Sequence, residues 1–146
     1  MSALQKIDTS TILFFLGILI SISALQSTGI LTSLAHGMSE SIGNESIIVI
    51  IIGLLSSVVD NVPLVAATQG MYDLVQYPTD NFFWEFLAYC TGTGGSALII
   101  GSAAGVAAMG MEKINFFWYL KKITWLALIG YFSGAVFYII QESIMQ

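Results

Sequence analysis

The sequence predicts an all-α integral membrane protein in which two membrane helices are interrupted. Hydrophobic residues make up 56% of the 146 residues, charged residues only 9%, and the mean hydropathy is +0.85. Soluble domains carry roughly 25% charged residues, so this chain has too few to cover a surface in water. Its apolar residues also form long runs, which indicates that the bilayer is its solvent. Residues 1–146 are predicted to form a single membrane domain.

Composition excludes several other classes of protein. Cys90 is the only cysteine and His36 the only histidine, so neither an internal disulfide nor a Cys/His zinc site can form. The segment Gly92–Ala97 matches the dinucleotide-binding pattern G-x-G-x-x-A, but it follows an apolar helix rather than a strand, and we expect no enzyme. The net charge is −5, and nucleic-acid binding is not expected because phosphates require clustered basic residues. Only four basic residues occur, namely Lys6, Lys113, Lys121 and Lys122.

Four apolar blocks follow one another along the chain. The first, residues 10–35, is predicted to be a transmembrane helix, and the last, residues 123–141, a final uninterrupted one. Between them lie residues 44–76 and residues 82–111, each cut near its middle by polar or glycine-rich sequence. The aromatic and basic residues 115–122 are typical of an anchor at the lipid headgroups.

The block 44–76 is predicted to be a re-entrant hairpin. Its halves hold about 13 or 14 residues each, whereas a membrane span needs roughly 20. If the block turns back, all four lysines lie on one side of the membrane, as the positive-inside rule expects. If it crosses once, Lys6 lies opposite the other three. The hairpin is therefore preferred, with the N-terminus in the cytoplasm and the C-terminus in the periplasm.

Asp60 lies a dozen or more residues from either end of this block, which places it near the middle of the membrane. An ionised carboxylate is costly there unless it faces a cavity, a partner or a bound cation. Asp60 could simply cap the helix that begins near Pro63, since Asp favours N-caps and Pro favours the first turn. Ser or Asn would cap that helix at lower cost, so we interpret Asp60 as a cation-binding residue.

Both interruptions offer neutral oxygen ligands. Ser56, Ser57 and Asn61 flank the carboxylate, and Pro63 prevents the preceding helix from continuing, which leaves backbone carbonyls free. The glycines of the third block disfavour helix by roughly 1 kcal/mol each, and hydroxyl groups lie beside them. That second interruption consists of Thr91, Gly92, Thr93, Gly94, Gly95 and Ser96. Paired interrupted helices near the membrane midplane are typical of a transporter's binding site.

Small residues continue after the second interruption. Gly101, Gly105 and Ala108 recur at about four-residue spacing. We interpret them as a face for close helix packing in the membrane.

In this order, the segments Ser56–Ala67 and Thr91–Lys113 resemble the C-terminal part of NhaD-type sodium/proton antiporters, members of the ion transporter superfamily. The resemblance extends over nearly the whole chain. It implies that the chain is the second of two inverted repeats, each with a re-entrant hairpin followed by a broken transmembrane helix. The tips of these elements would meet at the substrate site.

The resemblance further implies Na⁺(or Li⁺)/H⁺ antiport across a bacterial inner membrane. Na⁺ would bind at Asp60, Asn61 and Ser96, with the other hydroxyl groups of the two interruptions around it. The transported Na⁺, Li⁺ and H⁺ would be the ligands, and no cofactor is expected. Two alternatives remain open: a carrier of a dicarboxylate or an oxyanion in the same superfamily, and a membrane subunit without transport of its own.

Family members are several hundred residues long, so this chain would supply only the second repeat. The first repeat would come from a longer form of the same chain or from a separate chain. The expected partners are therefore the lipid bilayer, this N-terminal half of the transporter, and a second copy of the chain in a homodimer.

Overall fold

The computed structural model describes residues 9–145, and its regular elements are all helical, which confirms the predicted all-α class. Two 3-10 turns, Gly95–Ala97 and Ile99–Gly101, separate the fifth and sixth α-helices. The α-helices in the described residues are α1 (Thr9–Ser27), α2 (Ile30–Ile42), α3 (Glu45–Leu55), α4 (Asn61–Met71), α5 (Phe82–Gly94), α6 (Ala103–Met111), α7 (Phe116–Lys122) and α8 (Thr124–Met145).

The first apolar block is bent. Residues 10–35, assigned to one helix by the sequence, belong to α1 and α2, whose segments Phe15–Ser27 and Ile30–Ile42 differ in direction by 71°. Gly29 lies at the bend with φ 74°, a left-handed conformation that favours glycine and ends a helix. The Thr28 hydroxyl donates to the Leu25 carbonyl at 2.8 Å and satisfies part of the helix end. Lys6, which contributes to the predicted orientation, lies outside the described residues.

Helices α3 and α5 form the centre of the packed core. The apolar residues of α3 recur at helical spacing and face α5, while α8 closes the cluster from the other side. The buried members are Ile48, Val49 and Ile52 of α3, Tyr77 of the loop before α5, Phe83, Phe86, Leu87 and Cys90 of α5, and Tyr131 and Ala135 of α8. This packing holds the end of α3 against the end of α5, where both interruptions lie.

Helix α8 has the length and composition to cross a bilayer. Thr124–Ile144 meets both criteria by itself, and the bent pair of α1 and α2 is a second candidate for a span. Large apolar side chains remain exposed along α8, with Leu126 66% and Phe137 68% accessible. Exposed apolar surface of this extent suits contact with lipid rather than water.

The interruption of the third block starts later than the sequence indicates. Helix α5 continues through Gly94, so Thr91, Gly92 and Thr93 are helical and the irregular backbone covers residues 95–102. The two threonine hydroxyls donate to carbonyls one turn earlier, which is compatible with helix. Gly92 is therefore not at the break itself.

Candidate cation-binding site

The two interruptions lie directly against each other. The first is the segment Ser56–Asp60 between α3 and α4, and the second is the segment 95–102 between α5 and α6. A Cβ atom added at Gly94 would lie 2.6 Å from the carbonyl carbon of Gly53. A Cβ atom at Gly101 would lie 2.7 Å from the Cα of Ser57. The backbones therefore approach as closely as glycine permits.

Ser56 connects the first interruption to the last turn of α5 through its side chain. It is fully buried, and its Oγ lies 2.7 Å from the Gly53 carbonyl and 2.8 Å from the Thr91 carbonyl, with the hydroxyl donating to both. Because a hydroxyl carries one proton, the two carbonyls share it. The Ser57 hydroxyl donates only locally, to the Leu54 carbonyl at 2.7 Å. Ser56 therefore holds the contact together, whereas Ser57 satisfies the end of its own helix.

Asp60 is half-buried at the N-cap of α4. Its carboxylate accepts a hydrogen bond from the Asn61 backbone N–H at 3.0 Å. The amide groups at a helix N-terminus carry partial positive charge and stabilise a carboxylate there. Within residues 9–145 this is its only hydrogen bond, and no lysine forms an ion pair with it. One side of the carboxylate is therefore available for a ligand.

Asn61 lines an open groove of about 390 Å³ between α4 and α5. Thr91 and Gly92 line the same groove from α5, so the structure brings three of the predicted site residues to one surface. Thr91 is buried and its hydroxyl donates to the Leu87 carbonyl at 2.8 Å. The two lone pairs of its oxygen remain able to accept or coordinate.

Thr93 and Ser96 are placed differently from the other predicted residues. Thr93 is exposed, and its hydroxyl donates to the Tyr89 carbonyl at 2.7 Å. Ser96 is also exposed, and its carbonyl accepts from the Tyr119 hydroxyl at 2.8 Å. Neither residue lines the groove that contains Asn61. The predicted Na⁺ ligand set of Asp60, Asn61 and Ser96 stays a prediction.

The structure also identifies residues that the sequence analysis missed. The Tyr131 hydroxyl donates to the Ile50 carbonyl at 2.7 Å, and the Thr124 hydroxyl donates to the Ala97 carbonyl at 2.8 Å. The first bond fixes α3 to α8, and the second fixes the second interruption to α8. A polar side chain in an apolar helix is the signal that could have indicated these two residues. Gly53 was also missed, and a single glycine within the apolar run of α3 is the signal that could have indicated it. Gly101, interpreted as a helix-packing residue, instead contacts the first interruption.

A polar cavity of about 420 Å³ lies at the other end of α3 and α4. The Tyr77 hydroxyl donates to the Glu45 carboxylate at 2.6 Å and joins the start of α3 to the loop before α5. Burial first, and this hydrogen bond second, raise the pKa of Tyr77 well above its ordinary value of 10.0. His36 lines the cavity from α2. No group of His, Cys, Asp and Glu in residues 9–145 is arranged to hold a metal ion.

Comparison with known families supports a transporter. The sequence model of the CitMHS citrate transporter family matches residues 1–92. No solved structure matches the chain. The members of such a transporter family are multi-pass membrane proteins, in agreement with the apolar composition.

Several curated proteins are similar over most of the chain. Sodium/proton antiporter 1 of Arabidopsis thaliana is 54% identical over 137 residues, which are 94% of this chain and 24% of that protein. Sodium/proton antiporter 2 of the same plant is 52% identical over 94% of this chain and 33% of its own length. The Na⁺/H⁺ antiporter NhaD of Vibrio cholerae is 34% identical over 94% of this chain and 28% of its own length. The chain thus spans about a quarter to a third of these relatives.

Proposed function

Since this chain belongs to the CitMHS citrate transporter family, we propose that it supplies the C-terminal half of a cation site for Na⁺(or Li⁺)/H⁺ antiport. One observation carries the proposal: two helix interruptions lie in contact beside Asp60, which is half-buried and has no cationic partner in residues 9–145. The relatives named sodium/proton antiporters and NhaD support the choice of ion.

Competition for one carboxylate couples the two ion fluxes. Ionised Asp60 binds Na⁺, and protonation removes the charge that holds the cation. The amide groups at the start of α4 stabilise the ionised form, and Asn61 adds an amide oxygen. Antiport follows if the site opens alternately to the two sides of the membrane. The remaining ligands come from the N-terminal half, because this chain forms only one wall of the site.

The proposed architecture is the second of two inverted repeats. Residues 44–76 form a re-entrant hairpin and residues 82–111 a broken transmembrane helix, supported by the gaps between α3 and α4 and between α5 and α6. The first span and the helix over residues 123–141 cross the membrane. The transporter resides in a bacterial inner membrane with its N-terminus in the cytoplasm and its C-terminus in the periplasm, and two copies form a homodimer. Reporter fusions to the C-terminus test the orientation.

Substitution of Asp60 tests the proposed function. In everted vesicles that contain the complete transporter, Asp60→Asn should abolish Na⁺-dependent proton movement because the neutral amide neither binds a proton nor attracts Na⁺ strongly. Asp80→Asn is the matched control, since Asp80 is exposed in the loop before α5. Full activity of Asp60→Asn would rule out the proposed coupling residue.

Substrate competition separates the proposal from its alternatives. A carrier of a dicarboxylate or an oxyanion would show uptake that is blocked by that anion. A membrane subunit without transport would tolerate changes at Asp60 and at residues 92–96 as long as packing is kept. Antiport predicts instead that Na⁺ and Li⁺ compete and that the anions do not.

A further inference from the structure

The groove between α4 and α5 has an amide side chain at each end. Asn61, at the start of α4, lies beside the first interruption, and Gln69 lies eight residues further along the same helix. Asn61, Val65 and Gln69 repeat every four residues, so they share one face of α4. At about 1.5 Å per residue, the two amides are separated by about 12 Å along the helix axis. The groove is therefore elongated along α4.

The α5 side of this groove is lined by small residues. Ala88 and Gly92 are one turn apart, and a Cβ atom added at Gly92 would have no other atom within 4 Å. The groove is open because α5 presents no large side chain to it. Since a water molecule occupies about 30 Å³ in the liquid, a volume of about 390 Å³ holds a file of waters or a partly hydrated cation.

Neither amide is satisfied by the described part of the chain. Gln69 is exposed, and the side chains of Gln69 and Asn61 form no hydrogen bond with any of residues 9–145. An amide that faces hydrocarbon without a partner is unfavourable, and polar groups at membrane depth face a cavity or another protein surface. Two such amides on one helix face give this mostly apolar groove polar groups that water in it would satisfy.

We propose that this groove is the aqueous access path of the transported cation, with the Gln69 amide oxygen as its outer coordinating group. The inference rests on the proposed antiport and adds to it a second polar residue outside the interruptions. A partly hydrated monovalent cation contacts Gln69 first, moves along the small face of Ala88 and Gly92, and reaches Asn61 beside Asp60. Neutral amide oxygens replace part of its hydration shell without holding it tightly.

Cysteine labelling tests whether the groove contains water. In the complete transporter, with the buried Cys90 replaced by alanine, Val65→Cys and Gly92→Cys are treated with a small, charged, membrane-impermeant thiol reagent. Both should be labelled, and Na⁺ should slow the labelling. Gly130→Cys is the matched control because a Cβ there also has nothing within 4 Å, but it lies on α8 next to Ile129 and one turn after Leu126, both exposed apolar residues. Labelling of the groove positions no faster than Gly130→Cys would overturn the proposal, since the groove would then be filled by protein or lipid.

Transport kinetics of Gln69→Leu test the role of the amide. The apparent KM for Na⁺ should rise about tenfold while the rate at saturating Na⁺ is kept, because the path and not the binding site is altered. Gln69→Asn, which keeps an amide, should lie between this variant and the unmodified protein. An unchanged KM in Gln69→Leu would overturn the access path. It would leave the antiport proposal intact if Asp60→Asn still abolishes proton movement in the same vesicles.

Discussion

At the scale of single residues, the site depends on which oxygen atoms remain free after folding. The sequence places several hydroxyls near Asp60, but the structure uses the Ser56 hydroxyl to connect α3 with the Thr91 carbonyl. Thr93 and Ser57 donate to carbonyls of their own helices. Asp60 and Asn61 keep unoccupied oxygen atoms in the described part of the chain. Fewer residues therefore keep oxygen atoms free to bind a cation than the number of hydroxyl groups in the two interruptions suggests.

Removal of the Ser56 hydroxyl should destabilise the contact between the interruptions. Ser56→Ala loses the donor shared by the Gly53 and Thr91 carbonyls, and a net loss of about 1–2 kcal/mol is expected for a buried hydrogen bond. Ser57→Ala, which loses only a local bond, should cost less. Thermal unfolding of detergent-solubilised protein measures both. Equal losses would contradict the connecting role of Ser56.

At the scale of elements, glycines decide how closely the helices approach. The interruptions were predictable from sequence because Pro63, Asp60 and clustered glycines are unusual in apolar runs. The exact extent of the second one was not predictable, since α5 reaches Gly94 through tertiary contact with α3. The bend at Gly29 was missed because one glycine within an apolar run does not by itself end a helix. Hydrogen bonds between helices that are distant in sequence, such as that of Tyr131, were not predictable because nothing in the sequence indicates which residues pair.

Two glycines of α5 should respond in opposite ways to the same substitution. Gly94→Ala places a methyl group against the Gly53 backbone, which cannot move aside as a side chain can, and should destabilise by about 1–3 kcal/mol or more. Gly92→Ala enters open space and should be neutral or stabilising by up to about 1 kcal/mol through helix propensity. Unfolding midpoints of the two variants are compared directly. Tolerance of alanine at position 94 would show that the helices lie further apart.

The anchoring of α3 by α8 should depend on one hydroxyl group. Tyr131→Phe keeps the ring but removes the bond to the Ile50 carbonyl, and a loss of about 1 kcal/mol is expected because Tyr131 is buried. Tyr138→Phe removes an exposed bond to Glu85, where water replaces the lost partner, so its effect should be smaller. Urea unfolding in detergent measures both variants. A larger loss in Tyr138→Phe would place the main anchor of α8 elsewhere.

At the scale of the whole molecule, polar contacts lie at both ends of helix α3. One end is held at the interruptions, and the other by the bond from Tyr77 to Glu45 beside the polar cavity. The sequence could not reveal this second contact, because residue 45 begins α3 whereas residue 77 lies in the loop before α5, and the two meet only when α3 packs against α5. Packing of α3 on α5 therefore accompanies a polar contact at each end of α3.

The stability that the contact between Tyr77 and Glu45 contributes should fall at alkaline pH. The pKa of Tyr77 is raised in the folded state, so its contribution to stability is complete below pH 10.0 and is lost as the pH rises above that value. Tyr77→Phe should be less stable at neutral pH by about 1–2 kcal/mol, yet lose less on further alkalinisation. Thermal unfolding as a function of pH measures this.

Glu45→Gln is the matched control for the tyrosine. It keeps an acceptor for the Tyr77 hydroxyl but removes the negative charge that opposes ionisation of the phenol. Its alkaline loss of stability should lie between those of the unmodified protein and Tyr77→Phe. Identical pH curves for all three proteins would show that Tyr77 does not ionise in this range.

The close backbone contact at Gly53, Gly94 and Gly101 has a consequence for the evolution of specificity. Close contact between main-chain atoms holds this scaffold together, so its packing does not depend on which solute is bound. The few side chains along the groove can then diverge without loss of the architecture. One inherited scaffold can in this way serve a family described by citrate and relatives named for sodium and protons. Exchange of ligand preference should therefore need fewer substitutions than exchange of fold.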